Sequence, residues 1–95
     1  MHFERSKVIK KPGVPVRIHF TNGGSLKGLV FISNDGRVLD AIERREYFPL
    51  RTLSGTRLVR SSSIVWIEIL SYEDYLADRE AYPPVDENYL RSNRW

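Results

Sequence analysis

Arginines interleaved with aromatic rings are the residues of this chain with the clearest chemical use. Arg44, Arg45, Tyr47, Phe48, Arg51, Arg57 and Arg60 all fall between positions 44 and 60. Guanidinium groups pair with phosphates and rings stack on bases, the combination that single-stranded nucleic acid requires. The same pattern also suits a hairpin with Phe48 and Leu50 in a core and its arginines solvating the opposite side. Catalytic chemistry has less to work with. The histidines are His2, in an N-terminal arm, and His19, on the outward side of a predicted strand. A nucleophilic triad would enlist His19 with Ser25 or Ser33 and Asp35 or Asp40, but nothing in their spacing brings them together. Asp35 and Asp40 read instead as a turn former and a strand-end hydrogen-bond acceptor. The acids are scattered and cysteine is absent, so no metal-ligand cluster emerges. The glycines serve turns and bends rather than a Gly-x-x-x-x-Gly-Lys phosphate loop. The expectation is a protein that is not an enzyme, with no catalytic, cofactor or metal site, no cofactor and no small-molecule substrate.

The elements that would position these residues are mostly strands. Val14, Val16, Ile18 and Phe20 alternate with Pro15, Arg17, His19 and Thr21, the period of a half-buried strand. Asn22-Gly23-Gly24 supplies the residues tolerant of positive φ that a tight hairpin needs. Leu26 to Ile32 form a second strand, in which Gly28 marks a sharp bend or bulge. A turn at Ser33-Asn34-Asp35-Gly36 leads to a third strand over residues 37–42, and Glu43 to Glu46 form a charged connection. Tyr47 to Leu53 make a fourth strand, with Pro49 favouring an edge position. Ser54-Gly55-Thr56 turns the chain into Arg57–Arg60. Ile64 to Leu70, rich in branched and aromatic residues, form the strongest β run. Trp66 within it either fills a second packing layer or lies on an exposed edge.

Ser71 and Asp74 have the spacing of a capping box. A helix is expected over about residues 72–81, ended by Pro83-Pro84. The organisation is an N-terminal arm (1–11), a β-barrel domain (12–70), a C-terminal helix (71–82) and an extended tail (83–95). Tyr89, Leu90 and Trp95 have no evident core of their own. They are the candidate partner-binding residues, with Trp95 as anchor, either on another chain or folded over their own barrel.

The chain has 95 residues and a net charge of +3, a size that buries roughly 60–65% of the unfolded surface in one modest core. The charge is unevenly distributed: residues 1–20 carry +4, residues 43–60 carry +3 and residues 71–95 carry −3. A basic body with an acidic tail attracts polyanions or neutralises its own or a neighbour's surface. No stretch has signal-peptide character or the ~20 apolar residues of a membrane span. A soluble cytoplasmic protein is expected.

Val16-x-Ile18-x-Phe20-x-Asn22-Gly23-x-x-Leu26-x-Gly28 resembles the first half of the Sm-like fold, closest to its bacterial RNA-chaperone (Hfq-like) branch. Val59-Arg-Ser-Ser-Ser-Ile64-Val resembles the second half, where a strand passes through a short helical turn or loop into a final strand. The likeness covers about residues 14–40 and 57–70, and the whole chain is similar to small bacterial proteins with an Asn-Gly hairpin and a Val-Leu-Asp segment. It implies a mainly β fold, a small bent Sm-like or SH3-like barrel of five to six strands, with a short C-terminal helix and extended tail. The family's RNA-reading positions are altered: Asn34 fits the first, but Gly36 stands where a stacking ring would be and Val38 replaces the amide. Ser61-Ser62-Ser63 occupies the place of a Lys-His pair. Ser33-Asn34-Asp35-Gly36 also matches half of the cyclic-dinucleotide-binding PilZ signature, but Phe31 stands where Asp or Asn is required and the upstream Arg-x-x-x-Arg is missing. The resemblance therefore implies an assembly or adaptor module, self-associating or binding protein partners through barrel edges and tail. The second reading is an RNA- or single-stranded-DNA-binding protein using Arg44, Arg45, Tyr47, Arg51, Arg57 and Arg60.

Overall fold

The computed structural model describes residues 12–32, 36–43 and 45–92. Within them one antiparallel sheet of five strands has the order β4-β3-β2-β1-β5. Strand β1 (Gly13–Phe20) and β2 (Ser25–Phe31) form the expected hairpin, with Val14 opposite Val30 and Val16 opposite Gly28. Its turn closes through Phe20 N–H to the Gly24 carbonyl at 2.9 Å, and Gly23 adopts φ of +90°. The Asn22 side chain accepts the Gly24 N–H at 2.8 Å, so local residues alone specify this reversal.

Gly28 permits a close approach of two strands. A Cβ built there would lie 2.6 Å from the Arg51 carbonyl oxygen and 2.8 Å from Leu50 Cγ. Only glycine lets β3 (Tyr47–Thr52) come this close to β2, and the two strands bridge next door, at Leu29 and Arg51. The register of β1 and β2 runs without a bulge through Gly28, and the register irregularity falls elsewhere, between His19 and Phe20 where β1 meets β5 (Ile64–Ile69). Strand β4 (Gly55–Arg60) pairs with β3 along its whole length. Ser61–Ser63 then form a single 3-10 turn into β5. β4 and β5 are the two ends of the strand order, so the sheet is open and is not closed into a cylinder by strand pairing.

Both faces of the sheet are covered in part. Val14, Val16 and Ile18 point inward with Val30, Phe48, Leu50 and Val59 to form the main core. The segment expected as a third strand is instead helix α1 (Val38–Glu43). Val38 and Ile42 lie four apart and both are buried, whereas strand alternation would have placed Asp40 beside them in the core. Pro49 is likewise not on an edge strand. β3 lies between β4 and β2, but its bridge to β2 is two residues beyond Pro49, so the missing N–H is not needed there.

The outer face is covered by the C-terminal segment. Helix α2 (Tyr72–Ala77) starts as expected, with Ser71 Oγ accepting the Asp74 N–H at 3.1 Å. The helix is shorter than predicted, and Arg79–Ala81 continue as a 3-10 turn. Residues 83–86 carry no helix or strand, and helix α3 (Glu87–Ser92) follows where an extended tail was expected. Asp86 caps it, its Oδ1 accepting the N–H groups of Asn88 and Tyr89. Leu29 and Leu70 of the sheet face bury against Tyr75, Tyr82 and Leu90 of this segment.

Candidate functional site

The β3–β4 hairpin distributes the basic residues according to register. Its turn is fixed by Thr52 Oγ1, which donates to the Gly55 carbonyl at 2.7 Å and accepts the Ser54 N–H at 3.1 Å. Tyr47 pairs with Arg60, Pro49 with Leu58 and Arg51 with Thr56, so these six share the outward face. Phe48, Leu50 and Val59 face the core, and Arg57, opposite Leu50, belongs to that side. The single basic face drawn from sequence is therefore split. Arg51 and Arg60 project from one side and Arg57 starts from the other, beside a groove lined by Phe20, Leu26 and Ser63. Arg60 is turned onto Tyr47: its Nη2 donates to the phenol oxygen at 2.8 Å and its guanidinium lies 5.4 Å from the ring centre. Arg45 is exposed, and Arg44 lies outside the described residues.

Both edge strands carry exposed apolar side chains, as do α1 at Leu39 and the β3–β4 turn at Leu53. Leu58 of β4 is 72% exposed, and on β5 Val65, Trp66 and Ile69 are 58%, 50% and 43% exposed. Trp66 thus takes the exposed-edge alternative. Its ring stacks on His19 with centres 3.9 Å apart and planes 11° from parallel. Both residues are on the outer face, since His19 and Trp66 are register partners.

Next to this stack runs a row of paired charges. Arg17 Nη1 donates to Glu68 Oε1 at 2.9 Å, and His19 Nε2 meets the same oxygen at 3.1 Å. Lys27 Nζ lies 2.8 Å from Asp78 Oδ2, which also receives Arg17 Nη2 at 3.5 Å. The hydrogen bonds from His19 and then Arg17 hold the Glu68 carboxyl below its ordinary pKa. Asp78 is lowered chiefly by its hydrogen bond to Lys27. The Asp78 pairs tie the C-terminal segment to β1 and β2, and the Glu68 pairs join β5 to β1. Beneath them Tyr82 donates its hydroxyl to the Val16 carbonyl at 3.1 Å, and burial pushes the phenol up to about 12.

The triad candidates are not assembled. Ser25 is the register partner of His19, but the imidazole is engaged by Trp66 and Glu68. Asp40 Oδ2 accepts the Arg37 N–H at the start of α1. Ser33 and Asp35 lie outside the described residues. No group of three or more histidines or carboxylates placed to hold a metal occurs among the described residues. No described helix is long and apolar enough to cross a membrane.

The tail candidates also separate. Leu90, expected as a partner contact, is 1% exposed within the chain's own second core. Tyr89 is half-buried against the main core, and Trp95 lies outside the described residues. Sequence reasoning missed Leu58, Val65 and Ile69. In Arg57-Leu-Val-Arg60 each face receives one arginine and one aliphatic residue, so alternation assigns neither face to solvent.

These features define a mainly β protein built on one open antiparallel sheet, with apolar side chains exposed at both edges. Comparison with family models, with curated proteins and with solved structures finds no match to the chain.

Proposed function

We propose that the chain is a non-enzymatic assembly module of Sm-like or SH3-like type that associates with further copies of itself through the β4 and β5 edges. The observation that carries this reading is the coincidence of open backbone ladders with exposed aliphatic side chains, Leu58 on one edge and Val65 and Ile69 on the other. An unpaired edge strand is a template for another strand. Charge gives the contact a direction: β4 bears Arg57 and Arg60, whereas β5 bears Glu68 and leads into Glu73 and Asp74. The close approach of β3 at Gly28 and the 3-10 turn between β4 and β5 also suit a small barrel-like module. Leu90 is buried in the chain's own second core, so it is left out of the association.

Sedimentation equilibrium of the full chain tests the reading, with Leu58→Lys and Val65→Lys as edge variants. A wild-type oligomer that either variant reduces toward the monomer supports it. A wild type that stays monomeric across the accessible concentration range ends it.

Single-stranded nucleic acid is the second reading, favoured by Arg60 over the Tyr47 ring with Arg51 on the same outward face. Binding of a labelled oligonucleotide that falls steeply between two salt concentrations would support it, and absence of binding would remove it.

A further inference from the structure

Between the sheet and the C-terminal segment lies a groove of about 630 Å³ that the edge association does not involve. The chain crosses the outer face from Tyr82, which is hydrogen-bonded to Val16, to Leu90, which is buried. The stretch between these anchors, Pro83 to Tyr89, borders the opening as an arch stiffened by two adjacent prolines, with Pro83 buried and Val85 and Tyr89 half-buried. The sheet side of the opening is formed by Leu29, Phe31 and Arg51, and the arch side by Pro83, Val85 and Tyr89. Gly13 completes the floor. A Cβ there would come within 3.1 Å of Leu29 and 3.2 Å of Phe31, so no side chain projects from that position into the gap.

This volume falls in the range of small-molecule sites, which are mostly apolar with a few placed polar groups. Two charged groups border the groove. The Asp86 carboxylate is occupied in capping α3. The Arg51 guanidinium has no hydrogen bond or ion pair among the described residues, although that of the other outward arginine of the hairpin, Arg60, is engaged by Tyr47. An arginine at the mouth of an apolar slot is a fork-shaped receptor for a carboxylate. Asp86 limits the charge that can enter, since a second negative group would meet its carboxylate.

We propose that the groove under the Pro83–Tyr89 arch binds a small organic monocarboxylate, its apolar body lying between Phe31 and Tyr89 and its carboxylate on Arg51. The site departs from the expectation of a chain without a small-molecule ligand, and it stands whether or not the edges associate.

The test uses the full-length chain titrated with 3-phenylpropionate, its neutral amide, and inorganic phosphate, followed by amide chemical shifts in NMR. The expected result is saturable shifts with the carboxylate around Phe31, Arg51 and Tyr89. The amide should bind about tenfold more weakly, since it lacks the charged hydrogen-bond partner. Phosphate should not saturate. Arg51→Gln should bring the carboxylate down to the level of the amide, and Arg51→Lys should keep part of the difference. Equal binding of carboxylate and amide to the wild type would overturn the proposal, as would saturation by phosphate, shifts centred elsewhere, or no shifts. The wild-type comparison decides even if the glutamine variant fails to fold.

Discussion

Gly28 and Arg51 approach so closely that the Arg51 carbonyl oxygen occupies the space a Gly28 side chain would need, 2.6 Å from the position of its missing Cβ. The blocking atom belongs to backbone and cannot swing aside as a flexible side chain would. One hydrogen atom in place of a methyl group therefore lets β3 fold over β2, and with it the hairpin that carries Leu58, Arg57 and Arg60.

Gly28→Ala should cost about 1–3 kcal/mol, the range for forcing a methyl group into a packed site. Urea unfolding followed by circular dichroism reads the loss. Gly23→Ala provides a contrast: its Cβ meets nothing within 4 Å, but φ is +90°, so its cost is backbone strain of roughly 1 kcal/mol. A Gly28→Ala protein as stable as wild type would mean that the close approach does not exist in solution.

Leu90→Ala should destabilise the fold by about 2–5 kcal/mol, because the side chain is enclosed by Leu29, Leu70, Tyr75 and Tyr82. A tail that merely awaited a partner would lose almost nothing. The unfolding midpoint of this single variant distinguishes a tail integrated in its own fold from a loose one.

Tyr82 should ionise only in strong alkali, since its phenol is pushed up to about 12 while a tyrosine of the unfolded chain titrates at about 10. A group whose folded-state pKa is raised contributes stability below its unfolded value, and that contribution is lost as pH rises. Stability should therefore decline from about pH 10 to about pH 12. Tyr82→Phe should remove that part of the alkaline loss and cost about 0.5–1.5 kcal/mol at neutral pH for the missing hydrogen bond. Tyrosinate absorbance and urea midpoints against pH check both statements.

Glu68 and Asp78 predict the opposite limb. Their folded-state pKa values are lowered, by His19 and Arg17 for Glu68 and first by Lys27 for Asp78. Their contribution is present above the ordinary carboxylate range and fades as pH falls through it. Asp78→Asn should flatten the acid side of the stability profile, and high salt should do the same because these pairs are partly exposed. An acid limb unchanged in the variant would show that this pairing carries no stability.

The β1–β2 hairpin was legible because everything it needs is local: alternating side chains, and Asn22, Gly23 and Gly24 at the reversal. The start of α2 was legible for the same reason, since Ser71 caps a backbone group three residues away. The segment at residues 38–42 was misread because five residues with apolar ends fit either period; the burial of Val38 and Ile42 under the sheet decides for the helix. The tail was misread because the neighbours of Leu90 are scattered along the chain. They run from Leu29 of β2 through Leu70 and Tyr75 to Tyr82, a set that no local pattern encodes.

By itself, then, the sequence determined the Asn22–Gly24 reversal, the Ser71 cap and the inward side of β1, each a matter of backbone freedom or hydrogen bonding within a few residues. Tertiary structure alone decided which strands became edges, which arginine faced outward and where the arch left a groove. Those outcomes depend on strand order and register, which are set by packing between distant segments and fix the surroundings of every exposed side chain.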